Sequence, residues 1–152
     1  MDRTNQEEFI FGSIQLLANK LQILGDHILP ELTLKQWFLL LMISKMNVKE
    51  KSINEISSFV GSTRQNIKKM LVPLEGKGYI QIHRSSKDSR ALNVELTEKS
   101  FQYFEDHAEL AAREVNSLFS GFSDKEIATA VSFFEKFFIC VESYSNGGVV
   151  LE

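Results

Sequence analysis

Residues 61–79, GSTRQNIKKMLVPLEGKGY, bring together five side chains that carry several hydrogen-bond donors: Arg64, Gln65, Asn66, Lys68 and Lys69. In the major groove of DNA, Gln or Asn pairs with adenine through two hydrogen bonds, and Arg or Lys pairs with guanine. Ser62 and Thr63 precede this run, where hydroxyls and free N–H groups at a helix start would bind phosphate. The chemistry indicated is hydrogen bonding to a nucleic acid duplex.

The same segment carries an apolar stripe at helical spacing, formed by Ile67, Met70, Leu71 and Leu74. A rotation of about 100° per residue places Gln65 and Lys69 opposite this stripe, with Arg64 and Lys68 on one flank and Asn66 on the other. We expect the outward face to read bases, because an α-helix fits the major groove and its first turns make most base contacts.

Other interpretations of this segment remain open. If Gln65 closed a capping box with Ser62, its amide would not be free to bond to a base. Lys68 and Lys69 could instead form an ordinary solvated helix face. Pro73 lacks the N–H that would bond to the carbonyl of Lys69, so we expect a kink there. The kink would either direct the first turns of the helix into the DNA groove or be a bend without effect on binding.

Basic residues on both sides of this helix extend the prediction. Lys49 and Lys51 lie just before the preceding helix and are expected to contact phosphate, which carries little sequence information. A polar loop between two strand patterns holds Arg84, Lys87 and Arg90. We expect Arg90 to enter the minor groove, and Asp88 to hold the loop tip in one conformation.

The formal net charge of −3 hides a basic middle. Residues 45–99 hold eleven Lys or Arg and six Asp or Glu, a net charge of +5. The rest of the chain holds six Lys or Arg and fourteen Asp or Glu, a net charge of −8. A basic middle segment suits binding to a polyanion.

The cysteine Cys140 lies in an apolar run that should leave its thiol inert, and the three dispersed His residues predict no metal site. No nucleophile with its base and no glycine-rich phosphate loop appears, so we predict neither an enzyme nor a cofactor.

Helix-start signals divide the chain into mainly helical elements. Capping boxes, in which Ser or Thr is followed three residues later by Glu or Gln, are read at Thr4/Glu7, Thr33/Gln36, Ser52/Glu55, Ser62/Gln65 and Ser123/Glu126. The two short helices after Ser52 and Ser62 have helix-turn-helix spacing. After Gly78 the apolar period changes to two, which predicts two strands around the polar loop. Long amphipathic helices occupy both ends.

These residues resemble the multiple-antibiotic-resistance regulators, the MarR family. The matching text is SINEISSFVGSTRQNIKKMLVPLEGKGYI followed by DSRALNVELTEKS, in which Asp88, Arg90, Leu96 and Thr97 match the wing. Ser100 stands where glycine is usual, and Pro73 is less usual in the recognition helix. The resemblance implies a winged helix-turn-helix that is mainly α with a small β-hairpin wing, and it implies the roles given above to Asp88 and Arg90.

The predicted organisation is a DNA-binding lobe at 33–97, dimerisation helices at 1–32 and 98–145, and a flexible tail at 146–152. We predict a cytoplasmic homodimer without a membrane segment that binds double-stranded DNA at a pseudo-palindromic operator as a repressor. The resemblance further implies a crevice for a small-molecule effector. Aromatic candidates for it, to which no effector role is assigned, are Phe9, Phe11, His27, Trp37, Phe38 and Phe104. The alternative is a winged-helix module for protein contacts.

Overall fold

A computed structural model describes residues 1–48, 51–85 and 91–145. These residues form six helices and three strands in the order α1 (Arg3–Ile28), α2 (Leu34–Lys45), β1 (Lys51–Ser52), α3 (Ile53–Val60), α4 (Arg64–Gly76), β2 (Ile80–Arg84), β3 (Leu92–Leu96), α5 (Glu98–Phe119) and α6 (Asp124–Ser145). The predictions for Lys49, Lys87, Asp88, Arg90 and the tail at 146–152 lie outside the described residues. The predicted fold class, mainly α with a winged helix-turn-helix, is confirmed.

Three of the five predicted capping boxes are present. Thr33 and Gln36 exchange both hydrogen bonds at the start of α2, as do Ser52 and Glu55 at α3. Ser123 and Glu126 do the same before α6. Each box satisfies N–H groups that the first helical turn leaves without a partner.

The other two capping boxes were wrong. Helix α1 begins two residues earlier than the Thr4/Glu7 box required, because Asp2 caps it by accepting from the N–H of Asn5 at 2.9 Å. Helix α4 is capped by Thr63 rather than Ser62, and the Thr63 hydroxyl accepts from the N–H of Asn66 at 3.2 Å.

The predicted hairpin is β2 with β3, in antiparallel register from Ile80 opposite Leu96 to Arg84 opposite Leu92. The structure adds β1, whose Lys51 and Ser52 pair with Val94 and Asn93, so β3 is the central strand. A two-residue strand is too short to show a period of two, and for this reason the sequence pattern missed it.

The core lies where α2, α3, α4 and the sheet meet. Its side chains are almost wholly removed from water and include Leu39, Leu40, Ile43, Ile56, Ile67, Leu71, Leu74, Tyr79, Ile80 and Val94. Helix α2 therefore contributes Leu39, Leu40 and Ile43 to the centre of the core. Gly61 ends α3 with φ +70°, a left-handed conformation that glycine adopts without steric cost.

The chain divides into two compact units, Met1–Glu105 and a second that begins at Asp106. The first holds α1 to β3 and the first turns of α5. The second holds the rest of α5 and α6, and none of the α6 side chains is fully buried. The predicted division into a lobe at 33–97 and dimerisation helices on both sides stays a prediction.

Within the first unit, the loop between α1 and α2 is bonded to the base of the wing. The Tyr79 hydroxyl donates to Glu31 Oε2 at 2.7 Å, and Lys77 donates to the Glu31 carbonyl. Glu31 has φ +63°, which is uncommon for a residue other than glycine. The contacts from Tyr79 and Lys77 fix this backbone in place, and we call the set of Pro30, Glu31, Lys77, Tyr79 and Tyr103 the loop joint.

The start of α5 completes the loop joint. Tyr103 donates to the Pro30 carbonyl at 2.7 Å, and its ring packs edge-on against Tyr79 with centroids 5.5 Å apart. Burial raises the pKa of Tyr103 to about 12, and the Glu31 carboxylate adds to the shift. Burial also raises the pKa of Tyr79, reinforced by its hydrogen bond to Glu31. Both phenols therefore remain neutral donors at physiological pH.

The corner between α1 and α2 is closely packed. Gly25 is buried, and a Cβ added there would lie 2.8 Å from Cβ and from both Cδ atoms of Leu34. Asp26 accepts from Gln22 and from the N–H of Leu34, both at 2.6 Å. These hydrogen bonds hold the pKa of the Asp26 carboxyl below its ordinary value.

We expect Gly25→Ala to lower the free energy of unfolding by about 1–2 kcal/mol, because the overlap with Leu34 outweighs the helical preference of alanine. Urea denaturation monitored by circular dichroism measures this change. Gly76→Ala is the matched control, since a Cβ there meets no atom within 4 Å. It is expected to be neutral or slightly stabilising, and an equal loss in both variants would contradict the close packing at Gly25.

Candidate DNA-binding interface

Helix α4 is held against the core by one face. Ile67, Leu71 and Leu74 are completely buried, and Met70 is half-buried beside them. This is the stripe that the sequence predicted. The helix continues through Pro73 to Gly76, so the proline does not end it early. Because the inward stripe is fixed by the core, the opposite face of α4 is directed to solvent.

The outward side chains predicted to contact DNA are exposed: Arg64, Gln65, Asn66, Lys68 and Lys69. The side chains of Gln65 and of the three basic residues make no hydrogen bond or ion pair with another described residue. Gln65 does not close a capping box, because the cap is at Thr63. Its amide and the ammonium groups of Lys68 and Lys69 therefore present their donors to solvent.

Asn66 differs from the other four side chains. Its amide nitrogen donates to the Ser62 hydroxyl at 2.9 Å, and Ser62 is half-buried. The two residues thus bond to each other across the first turn of α4. Thr63 is exposed, but its hydroxyl is engaged in capping. Of the residues predicted at this helix start, Gln65 and Lys69 are the ones that lie opposite the core with unengaged side chains in the described chain.

The flanking basic residues lie on the sheet. Lys51 is half-buried in β1, and Arg84 is exposed at the last position of β2. The strands remain in contact past Arg84, because the N–H of Ser85 donates to the carbonyl of Ala91 at 2.9 Å. Arg84 therefore leads directly into residues 86–90, which hold the remaining predicted wing contacts.

Other candidate chemistry in the chain is limited. Among residues 1–48, 51–85 and 91–145, no three His, Cys, Asp or Glu side chains are placed to hold a metal ion. No helix in this described part is long and apolar enough to cross a membrane. Cys140 was expected in an apolar setting, but in the single chain its side chain is exposed on α6. Its neighbours Phe138 and Ile139 are exposed as well.

A cavity of about 390 Å³ lies in the first unit between α1, α2 and the start of α4. Its lining is predominantly apolar and consists of Ala18, Leu21, Gln22, Leu34, Lys35, Phe38, Leu39, Val60, Ser62, Asn66, Ile67 and Met70. Of the aromatic residues considered from the sequence, Phe38 contributes to this lining. Ser62 and Asn66, which are hydrogen-bonded to each other, line this cavity, so its wall and the recognition helix share residues.

A helix-turn-helix followed by a hairpin wing, with a basic outward face on its second helix, defines the winged-helix class of DNA-binding proteins. Comparison with known proteins gives the family. The model of the transcriptional regulators SarA/Rot matches residues 27–107, and the chain belongs to this family. The family and the fold are those of transcriptional regulators, not of enzymes.

Individual relatives agree with this assignment. The transcriptional repressor MprA of Escherichia coli (strain K12) is 28% identical over 99 residues, which cover 65% of this chain and 56% of MprA. The chain thus spans about half the length of the curated relatives it matches.

Solved structures show the same fold. A MarR/EmrR family regulator from Acinetobacter sp. ADP1 is similar with a TM-score of 0.75 at 21% identity, covering 90% of this chain and 97% of that one. A mutant of E. coli MarR in complex with operator DNA has a TM-score of 0.76 at 20% identity, covering 90% and 99%. The winged-helix fold that the MarR resemblance implied is therefore confirmed.

Proposed function

We propose that this protein is a homodimeric, sequence-specific repressor that binds a pseudo-palindromic operator in double-stranded DNA. One observation carries the proposal. The face of α4 that bears Gln65 and Lys69 lies opposite three fully buried residues, and its donors are unengaged in the described chain. A helix fixed in this way would enter the major groove with its donors toward the base edges. The name of the relative MprA supports repression rather than activation.

The roles of the site residues divide by distance from the groove. Gln65 and Lys69 contact bases, and Arg64 and Lys68 contact bases beside them. Asn66 joins them when its amide gives up the hydrogen bond to Ser62 and bonds to a base instead. Backbone contacts come from residues at the helix start and on the sheet: Ser62, Thr63, Lys51 and Arg84. Outside the described residues, Lys49 and Lys87 would add phosphate contacts, Arg90 would enter the minor groove, and Asp88 would order the wing.

Exposed apolar residues on the terminal helices support the dimer. The apolar stripe of α1 is largely exposed in the single chain, at Ile10, Leu17, Leu21 and Leu24. In the second unit, Val131, Phe134, Phe138 and Val141 are exposed along α6. Apolar surface on this scale marks an interaction site. A second copy would cover it, and its two-fold symmetry would match two half-sites of an operator.

The cavity beside α4 supports regulation by a small molecule. A compound held there would contact Met70 and the Ser62–Asn66 pair, so its binding would be coupled to the position of the first turn of α4. The mostly apolar lining with a few polar groups fits a small amphipathic effector. We propose that such a compound releases the repressor from its operator.

The test is selection of a preferred duplex from random-sequence DNA by the intact protein, followed by binding measurements at increasing salt. We expect two chains per duplex and a slope of log K against log salt of about −11, because about six phosphates per protomer would each contribute about −0.9. Fluorescence anisotropy gives the affinities, and sedimentation gives the stoichiometry. Equal affinity for the selected duplex and a scrambled duplex would contradict sequence-specific binding. An affinity that does not change with salt concentration would contradict DNA binding through phosphate contacts.

A further inference from the structure

The outward face of α4 contains an apolar residue that the polar site does not explain. Val72 is 66% exposed in the middle of the helix, and Pro73 beside it is exposed as well. A single exposed apolar residue is ordinary on a protein surface. The position of Val72 on the helix, rather than its exposure, is what carries the argument.

Val72 lies on the same line as the two proposed base contacts. At about 100° per residue, Lys69 and Val72 stand roughly 40° and 20° to either side of Gln65. The buried residues Ile67 and Leu71 lie on the opposite side. The spacing of four and then seven residues from Gln65 spans about 10.5 Å along the helix. Recognition helices that lie along the major groove read bases at this same spacing.

The chemistry of Val72 restricts what it would contact there. Valine has no side-chain donor or acceptor, so it gains nothing from a phosphate or from the polar edge of a base. The major groove offers one apolar group, the C5-methyl of thymine. Val72 has two methyl groups at the end of a short, stiff side chain, which suits a fixed contact of this kind.

We propose that Val72 is a specificity-determining residue that selects thymine at one position of each half-site by packing against its C5-methyl group. This inference rests on the proposed DNA-binding function and extends it. Gln65 and Lys69 would read hydrogen-bonding groups in the first two turns, and Val72 would add apolar recognition one turn later. The residue is expected to contribute to sequence preference more than to total affinity, because phosphate contacts dominate the latter.

The experiment replaces each thymine of the selected operator, one at a time, by deoxyuridine, which lacks only the methyl group. For the wild-type protein, we expect one position per half-site at which the replacement weakens binding about fourfold, the equivalent of about 0.8 kcal/mol for one buried methyl group. For Val72→Ala, the same replacement should change the affinity less than about 1.5-fold. Val72→Ile, which keeps the branching at Cβ and an apolar surface, should retain the penalty.

The outcomes separate this inference from the function on which it rests. A preferred duplex in which no thymine is sensitive, or in which Val72→Ala shows the same penalty as the wild type, overturns the role of Val72 and leaves DNA recognition intact. Failure to select any preferred duplex overturns the proposed function and this inference with it. Val72→Ala is expected to fold normally because the side chain is exposed and alanine favours the helix, and an unchanged circular dichroism melting curve verifies this.

Discussion

Lys69→Ala is expected to weaken binding to the selected operator by about 5- to 150-fold, which corresponds to about 1–3 kcal/mol for the loss of a good contact to guanine. Lys69 lies opposite the buried stripe of α4, and its ammonium group is unengaged within the described chain. We expect a residue in this place to contact a base rather than the DNA backbone. The substitution should therefore also relax the preference at one base pair, which competition with single-position operator variants measures.

The matched control is Lys125→Ala, which removes the same charge from an exposed position in the first turn of α6. It should change operator affinity less than twofold, because an exposed charge outside the proposed interface is screened by salt. If Lys69→Ala weakens operator and scrambled DNA by the same factor, Lys69 is a phosphate anchor and the assignment of the outward face to base reading is wrong.

Phe138→Glu is expected to raise the dissociation constant of the proposed dimer by about 100-fold or more. Phe138 is 66% exposed in the single chain, so the substitution costs the isolated fold little. In a dimer that buries this ring, it would remove an aromatic contact of a kind that often costs 2 kcal/mol or more, and would place an unpaired charge in an apolar environment. Sedimentation equilibrium measures the dissociation constant, and operator binding should fall with it.

Ser132→Glu provides the control on the same helix. Ser132 is exposed and stands roughly 120° around α6 from Phe138, on the more polar side, and the substitution adds the same charge. It should leave the dimer intact. If the Phe138→Glu protein dimerises with the wild-type dissociation constant, this face of α6 does not lie in the dimer interface. Loss of helical circular dichroism in the variant would instead show that Phe138 supports the fold of the chain itself.

Helix starts were predictable where a Ser or Thr was the one residue nearby that could occupy the N-cap position. Thr33 and Ser52 satisfied this condition, and their capping boxes formed as expected. At α4, Ser62 and Thr63 are adjacent, and either would cap a helix. Because the left-handed turn at Gly61 and the burial of Ile67 fix where the helix begins, tertiary packing decided between them. A pattern of residue types alone does not contain that information.

The candidate site was predictable in its orientation and less so in its details. Helical periodicity assigned the buried and outward faces of α4 correctly, since both follow from the same 3.6-residue repeat. The hydrogen bond between Asn66 and Ser62 depends on rotamers and was not foreseen. Val72 was overlooked because an apolar residue in a helix is first assigned to the core. The contribution of each residue to DNA binding stays a prediction.

The loop joint determines how short a piece of this chain would still fold. It links residues that are far apart in sequence, since Tyr79 reaches back 48 residues to Glu31 and Tyr103 reaches back 73 residues to Pro30. Cutting the chain just before Thr33 would remove both acceptors and with them two hydrogen bonds, each worth about 0.5–1.5 kcal/mol. An excised winged-helix fragment must therefore begin before Pro30 and extend past Tyr103, bounds that fall inside the 27–107 segment matched by the family.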